Sequence, residues 1–529
     1  MIGTTKLIRL ILRRDRVLMP VWVLFLAVVP ISYIATIDGL FPTDAGKAGY
    51  AATSAHNAGF VALYGQLFGS SIGELVAWRA GFLPVMVGLA AILTVIRHTR
   101  TEEEAGRREL IGATVVGRHA SLAAALIVTC GASLVLGLVL AAGMSGQDLP
   151  GAGSLAFGLQ LAASGWVFAG IAAVAAQLTA GSGAARGIAI TVLGAAYLLR
   201  AVGDVSGMTA GPLTWLTALS PIGWVQAVRP YGDDRLWLAG VVALATVVLM
   251  LAAVLLESRR DVGAGLLPPR PGPTAGKLAS PLALAWRLHR GLLAAWVGGF
   301  LVLGVVLGYL AEGVGDLVGE NKQLADVFTR LGGASGLIDN YLSGIAGLFG
   351  LIAGAYAIQA MLRARAEEAG GRAEPVLSTA VGRLRWAGSH LFFSLLGPAV
   401  VLFAAGLAMG ITHGLNTRDL GGELPSMLAS TMVQLPAVWI LSAVTVLLFG
   451  VLLRFVAAAW VVLAACVLFG MVGSAIGLDQ WVLDISPFTH LPHLPGGDVT
   501  ALPLVLLPLI ALVLTVSGMT GFRRRDLAS

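Results

Sequence analysis

Apolar residues run through this chain in long blocks, broken by short polar or charged stretches, instead of alternating or recurring on one helix face. A membrane span needs about 20 predominantly apolar residues to cross ~30 Å of hydrocarbon. Twelve runs meet that need. Six lie in the first half: Val17–Ile37, Ala80–Ile96, Ser121–Gly143, Leu155–Leu178, Gly187–Gly203 and Leu236–Leu256. Six lie in the second: Leu292–Ala311, Ile345–Leu362, Ser389–Ile411, Met427–Leu453, Val456–Gly477 and Leu502–Phe522. Unpaired backbone groups are too costly in lipid, so each run is expected to be helical. The first run follows Lys6, Arg9, Arg13, Arg14 and Arg16, as a signal peptide would. It is too long for a signal core and has no clear small-x-small cleavage site, so it reads as a retained span.

Composition narrows the class. The chain has 529 residues, 57% hydrophobic and 12% charged, with mean hydropathy +0.86. Soluble domains carry about 25% charge, and a single core stops growing beyond roughly 250–300 residues. A water-soluble enzyme is therefore excluded, and so is a disordered or collagen-like chain. The expected fold is an all-α polytopic membrane protein. Cys130 and Cys466 sit inside apolar runs and read as small buried fillers. If the N-terminus is cytoplasmic, 26 Lys/Arg fall inside and 8 outside, against 11 Asp/Glu inside and 17 outside. That asymmetry puts both termini in the cytoplasm. Only four of the 34 basic residues are lysines, which with the Ala/Gly/Val richness suggests a GC-rich bacterial genome, so the expected location is the bacterial inner (plasma) membrane; no nucleic-acid partner is expected.

An internal duplication is the most informative pattern. Residues 100–118 (RTEEEAGRRELIGATVVGR) align without a gap to residues 365–383 (RAEEAGGRAEPVLSTAVGR), with ten of nineteen positions identical. The matches pair Glu102, Glu103, Arg107 and Glu109 with Glu367, Glu368, Arg372 and Glu374. Flanking landmarks agree: Trp215, Ser220 and Pro221 echo Trp481, Ser486 and Pro487, and Arg259-Arg260-Asp261 echoes Arg524-Arg525-Asp526. The chain thus reads as two parallel six-span repeats, 1–261 and 281–529, joined by a proline-rich cytoplasmic linker over 262–280. Within the charged segment, Thr101 and Glu104 have capping-box spacing. Glu103–Arg107, Glu104–Arg108 and Glu368–Arg372 have the favourable i,i+4 order, and Gly117 and Gly382 suit positions just past a helix end. Carboxylates and guanidinia kept together in both copies suit a surface that docks a soluble partner.

Six spans per repeat, a basic amphipathic N-terminal stretch, the E-E-x-x-G-R-x-E segment after the second span and a Ser-Pro segment before the sixth resemble the permeases of type-2 ABC exporters. The similarity is greatest to the duplicated, single-chain actinobacterial kind that transports tetronasin or polyketide antibiotics. The resemblance implies that Glu102, Glu103, Arg107, Glu109, Glu367, Glu368, Arg372 and Glu374 lie on coupling helices, each docking one of two ATP-binding subunits. It also implies that the segments holding Trp215, Ser220, Pro221, Trp481, Ser486 and Pro487 close an outer gate.

Energy is expected from such a partner. The nearest approach to a phosphate-binding loop, Gly276-Lys277, has Pro271 where the first glycine belongs and Leu278 where Ser/Thr belongs. No cofactor is expected on this chain; ATP and Mg would be held by the partner. Mid-span carboxylates for proton coupling are missing, which weighs against the alternative of a proton-coupled multidrug antiporter of the major-facilitator kind. Arg200, Glu312 and Arg454 stand at span ends and read as interface anchors. The histidines, including His490 and His493 after the second Ser-Pro, read as structural and not metal ligands. Gln160, Gln177, Tyr356, Gln359, Gln434 and Trp439 are polar or aromatic positions inside spans and are candidates for the substrate path. A largely uncharged interior suits a hydrophobic or amphipathic small molecule.

Overall fold

The structure is a computed structural model, and it describes residues 2–268, 276, 278–319, 333–469, 479–497 and 499–526. The chain divides into two compact units, Met1–Gly272 and Pro273–Ser529. Among the described residues all regular structure is helical, and eleven helices are long and apolar enough to cross a membrane.

The first unit begins with a short amphipathic helix α1 (Thr4–Arg14), which buries Thr4, Leu7 and Ile11 on one face. The first span, α2 (Leu18–Leu40), follows. Three short helices come next, α3 (Asp44–His56), α4 (Ala58–Tyr64) and α5 (Ile72–Arg79). The span α6 (Leu83–His98) leads into α7 (Arg100–Glu104) and α8 (Arg107–Gly112). The spans α9 (Ala120–Ser145), α10 (Gly151–Leu178) and α11 (Ser182–Met208) lead to the short helices α12 (Leu216–Leu219) and α13 (Pro221–Gln226). The last span is α14 (Leu236–Ser258).

The central helix of this unit is α10. It packs on α9, α6, α14 and α11 and is the most buried of the spans. Its sequence explains the position: Gly, Ala and Ser recur along it, and small residues let helix backbones approach in lipid. At the α9–α10 crossing, Gly137 and Gly158 face each other so closely that a Cβ on either would lie 2.1–2.3 Å from the other's carbonyl oxygen. By contrast α14 buries only five side chains and presents Leu244, Val248, Leu251 and Leu255 outward, as a lipid-facing helix should.

In the second unit the helix Pro281–Gly319 runs on where the first unit has two helices. Helix Gly333–Ala369 is likewise continuous into the charged segment. The expected span Met427–Leu453 lies within one of the eleven apolar stretches, Leu420–Val451, which is interrupted at 433–434 into the helices Leu420–Met432 and Leu435–Val451. Pro436 explains the break, since its ring opposes the carbonyl of Met432 and it offers no N–H. The expected span Val456–Gly477 is described only as Ala458–Leu468, because residues 470–478 lie outside the described residues. The span count in the structure is therefore eleven long helices plus this shorter apolar one. Much of the PPRPGP linker and most of the segment from Glu312 to 332 also lie outside the described residues or side chains. Cys130 and Cys466 are free thiols, half-buried and buried.

The glycine crossing yields a direct test. Gly158→Leu should force α9 and α10 apart and lower the detergent melting temperature, with a cost at or above the ~1–3 kcal/mol of ordinary overpacking. Gly131→Leu, on the same helix α9 but with nothing within 4 Å of its would-be Cβ, should leave it unchanged.

Candidate functional site

The repeated charged segment follows α6 directly. No free helix start exists at Thr101, so the expected Thr101–Glu104 capping box does not form: Thr101 accepts from Arg186 and Glu104 from the Ser182 amide. The helix does stop at Gly106, which has φ +71°, and the corresponding Gly371 has φ +67°. These left-handed glycines are where the segment turns, not Gly117 or Gly382. Gly382 instead starts the helix Arg383–Thr417 in an extended conformation.

The break also changes the ion pairs. Across it, Arg107 takes both oxygens of Glu102 at 2.7 and 2.8 Å. Arg372 takes both oxygens of Glu367 at 2.8 and 3.3 Å. The pairs are i,i+5 where a continuous helix would have given the expected i,i+4. Glu102 also accepts from Arg14 of α1 at 2.6 Å. Its carboxylate, hydrogen-bonded to Arg107, raises that guanidinium's pKa above the ordinary value. Arg107, Glu109, Arg372 and Glu374 are exposed, as are the apolar Leu110 and Val115 beside the first pair.

Glu103 and Glu368 point the other way. The Glu103 carboxylate is buried and receives both terminal nitrogens of Arg260 at 2.6 and 2.9 Å. Arg100 at 2.9 Å, Arg108 at 3.1 Å and the Gly263 amide at 2.7 Å complete its shell. Glu368 receives both terminal nitrogens of Arg525, each at 2.6 Å. In each unit the two partners are 157 positions apart. The arginine closing each half therefore clamps the carboxylate that opens its charged segment. Arg118 and Arg383 reinforce the joint by donating to the carbonyls of Arg260 and Arg525, at 2.9 and 2.8 Å. The sequence reading put the eight charged residues on two docking helices. The structure leaves Arg107, Glu109, Arg372 and Glu374 exposed, half-buries Glu102, buries Glu367 beneath Arg372, and turns Glu103 and Glu368 inward as anchors. The cue was the Glu and RRD motifs recurring at one spacing, which went unpaired.

The anchors differ in surroundings. In the first unit Arg108 bridges Glu103 to Glu257, whose other oxygen accepts from His119 at 2.7 Å. Gln177 accepts from Arg260 at 2.7 Å. It is therefore part of this joint. On α6, His98 meets buried Asp15 at 2.5 Å. The second unit has Ala373, Phe522 and Leu384 where the first has Arg108, Glu257 and His119. There Trp386, Phe522 and Phe449 stack, and the Arg525 guanidinium lies over both phenylalanine rings at about 5 Å. His289 and His390 make a buried pair at 3.0 Å.

At the other end of the first unit, buried Ser220 caps α13, accepting from the Gly223 amide and donating to the Ala196 carbonyl at 2.6 Å. Pro221 stands at the first helical position, where its missing N–H costs nothing. Ser486 and Pro487 repeat the device at the short 3₁₀ helix Pro487–His490. Trp215 and Trp481 are exposed.

Of the path candidates, Gln359 accepts from Trp296 at 3.0 Å and Trp439 donates to the Leu395 carbonyl. Tyr356 is buried against Gly397, its hydroxyl unpartnered, and Gln434 packs on Gly350. Gln160 lines a cavity. Arg200 is not an interface anchor. It is fully buried and donates to the carbonyls of Val61, Ala62 and Leu63 at the end of α4.

Breaking a buried pair strands a charge, at about 3–5 kcal/mol. Glu103→Gln should therefore lower the melting temperature strongly. Glu368→Gln should lower it less, because the Arg525 cation keeps its two aromatic rings. Thermal denaturation of the two purified variants in one detergent would check the order.

Comparison with known proteins follows the same extent. A family model described as "Multidrug efflux system permease Rv1217c, C-terminal domain" matches residues 7–256 and 278–523. The "Multidrug efflux system permease protein Rv1217c" of Mycobacterium tuberculosis (strain ATCC 25618 / H37Rv) is 44% identical over 528 residues, covering 99% of this chain and 95% of the relative. With its all-helical, multi-span architecture, the chain belongs to the Rv1217c family of multidrug efflux system permeases.

Proposed function

We propose that this chain is the membrane subunit of an ATP-driven ABC exporter that moves hydrophobic or amphipathic drugs out of a bacterial cell. In this reading the Glu103 end of the first unit and the Glu368 end of the second each face the cytoplasm, as do both termini. Two copies of a separate ATP-binding subunit dock there, one on each charged segment. The observation that carries the reading is the division of labour within each segment. A buried carboxylate, clamped by the arginine after the last span of its unit, fixes the short element that displays an exposed guanidinium and carboxylate. A displacement of that element by a partner would be passed to the spans through the clamp, not absorbed by a loose loop. The name of the Mycobacterium tuberculosis relative supports drug efflux, and the two stretches matched by the family model suit two repeats. The outer segments capped by Ser220 and Ser486 are assigned to the gate.

Co-purification with the product of an adjacent ATPase gene should give drug-stimulated ATP hydrolysis. Drug efflux that persists without an ATPase and collapses with an uncoupler would overturn the proposal. Reversing the exposed charges alone, Arg107→Glu with Glu109→Lys, should cut the stimulated rate several-fold while the melting temperature of the permease stays constant. Full stimulation in that variant would remove the docking assignment.

A further inference from the structure

The amphipathic helix α1 carries Lys6, Arg9 and Arg13 on the side opposite its buried Leu7 and Ile11. At about 100° per residue these three cations fall within roughly 60° of one another. All three are exposed, as is Arg16 in the turn that follows. Their neighbours are engaged by the protein: Arg14 bonds Glu102, and buried Asp15 holds His98 and Arg97. Residues 2–14 contain no Asp or Glu. Among the described residues no carboxylate pairs with Lys6, Arg9, Arg13 or Arg16. Like charges three and four positions apart destabilise a helix. Lys6 also stands in the first turn, where the helix dipole disfavours a cation. The row is unfavourable for the helix alone and calls for an anionic partner.

Position narrows that partner. Only residues 15–17 separate α1 from the span α2, so the row lies at a face of the bilayer. Val17, Leu18, Val21, Leu24 and Phe25 are exposed, which makes this edge of the unit a lipid-facing one, and exposed Leu10 and Leu12 flank the row itself. The helix is held at both ends. The Ile2 carbonyl accepts from the Gly117 amide at 2.9 Å, and left-handed Gly3 sits so close to Val116 that a Cβ would lie 3.0 Å from it. Arg14 fastens the other end to Glu102 at 2.6 Å. A pinned helix with a cationic row between apolar flanks at a lipid edge matches the phosphate and acyl chains of an anionic lipid. The second unit separates this from the orienting of spans. Ser280, Ala283, Arg287 and Arg290 stand where the first unit has Lys6, Arg9, Arg13 and Arg16, and the helix there runs straight on into its span. The cations nearest the span recur in both units, as orientation needs. Lys6 and Arg9 belong to the first unit alone.

We propose that the row of Lys6, Arg9, Arg13 and Arg16 is a binding site for anionic phospholipid headgroups. It rests on α2 spanning the bilayer and not on the exporter reading, so its test uses neither drug nor ATP. The detergent-purified full-length chain is placed in mixed micelles holding equal amounts of dioleoyl phosphatidylglycerol and dioleoyl phosphatidylcholine, and retained lipid is counted by native mass spectrometry. The wild-type chain should retain phosphatidylglycerol in preference. Lys6→Gln with Arg9→Gln should weaken that retention about tenfold or more, since each cation near an anionic surface contributes about fivefold. Arg9→Gln alone should lose about fivefold and decides the matter if the double variant fails to fold. Lys6→Arg with Arg9→Lys should keep the lipid. Arg523→Gln with Arg524→Gln, which removes two exposed cations at the end of helix Ala501–Arg524, should also keep it. Retention without preference for phosphatidylglycerol, unchanged in the Lys6 and Arg9 variants, or lost equally in the Arg523 and Arg524 variant would overturn the site. Displacement of the lipid by glycerol 1-phosphate in solution would overturn it too, by marking a site for free phosphate.

Discussion

A carboxylate withdrawn from water at the edge of a bilayer is held only where cations and donors replace its hydration shell. Glu103 and Glu368 are such carboxylates, and each is replaced by the same fork: the two terminal nitrogens of an arginine just beyond the last span of its unit. The planar fork matches a carboxylate at two points, so it fixes direction as well as distance. Everything near that end of each unit is placed by this bond. It ties the charged segment to the end of the last span of its unit. Through Arg118 and Arg383 it also sets where the next helix begins. With one carboxylate committed inward, the neighbouring Glu102 or Glu367 is left to pair with the arginine beyond the glycine turn.

That turn shows how much the sequence disclosed. The spans were legible because lipid permits so few backbone states: most of the apolar runs recur as single helices within a few residues. Proline punctuation was less legible, and Pro436 divided a run whose hydropathy is unbroken. The repeated Glu/Arg segment was found, yet its internal pairing was misjudged because one helix was assumed to pass through Gly106 and Gly371. Hydropathy and charge patterns carry no information about a left-handed residue, and a single such residue shifts every pair from four positions to five. Arg200 was misread for a related reason. Its position at a span end suited solvent, but its partners are carbonyls of α4, some 138 positions away and invisible to local pattern.

Arg200 also shapes the opposite end. By closing the carbonyls of α4 it holds a short helix whose next residues, Tyr64 and Gly65, form the cavity wall. Ser71 and Glu74 close a capping box at the start of α5, on the same side. Short helices are marginal alone; here three successive ones are each stapled by a charge or a cap. A cavity bounded by such elements keeps its shape without depending on the packing of lipid around it.

The two joints use one bond in two environments, and the difference follows from three coordinated exchanges. Removing Arg108, Glu257 and His119 together takes out one cation, one carboxylate and its imidazole partner at once, so no charge is stranded. Their counterparts Ala373, Phe522 and Leu384 let Trp386 and Phe449 close over the space, and Arg525 then rests on rings instead of sharing a carboxylate network. A charge network resists deformation because moving one member unbalances the rest. A cation over aromatic faces tolerates sliding, since the attraction varies slowly across a ring. On this argument the first unit carries the stiffer joint and the second the more compliant one, although the anchoring pair in each has the same residues at the same spacing.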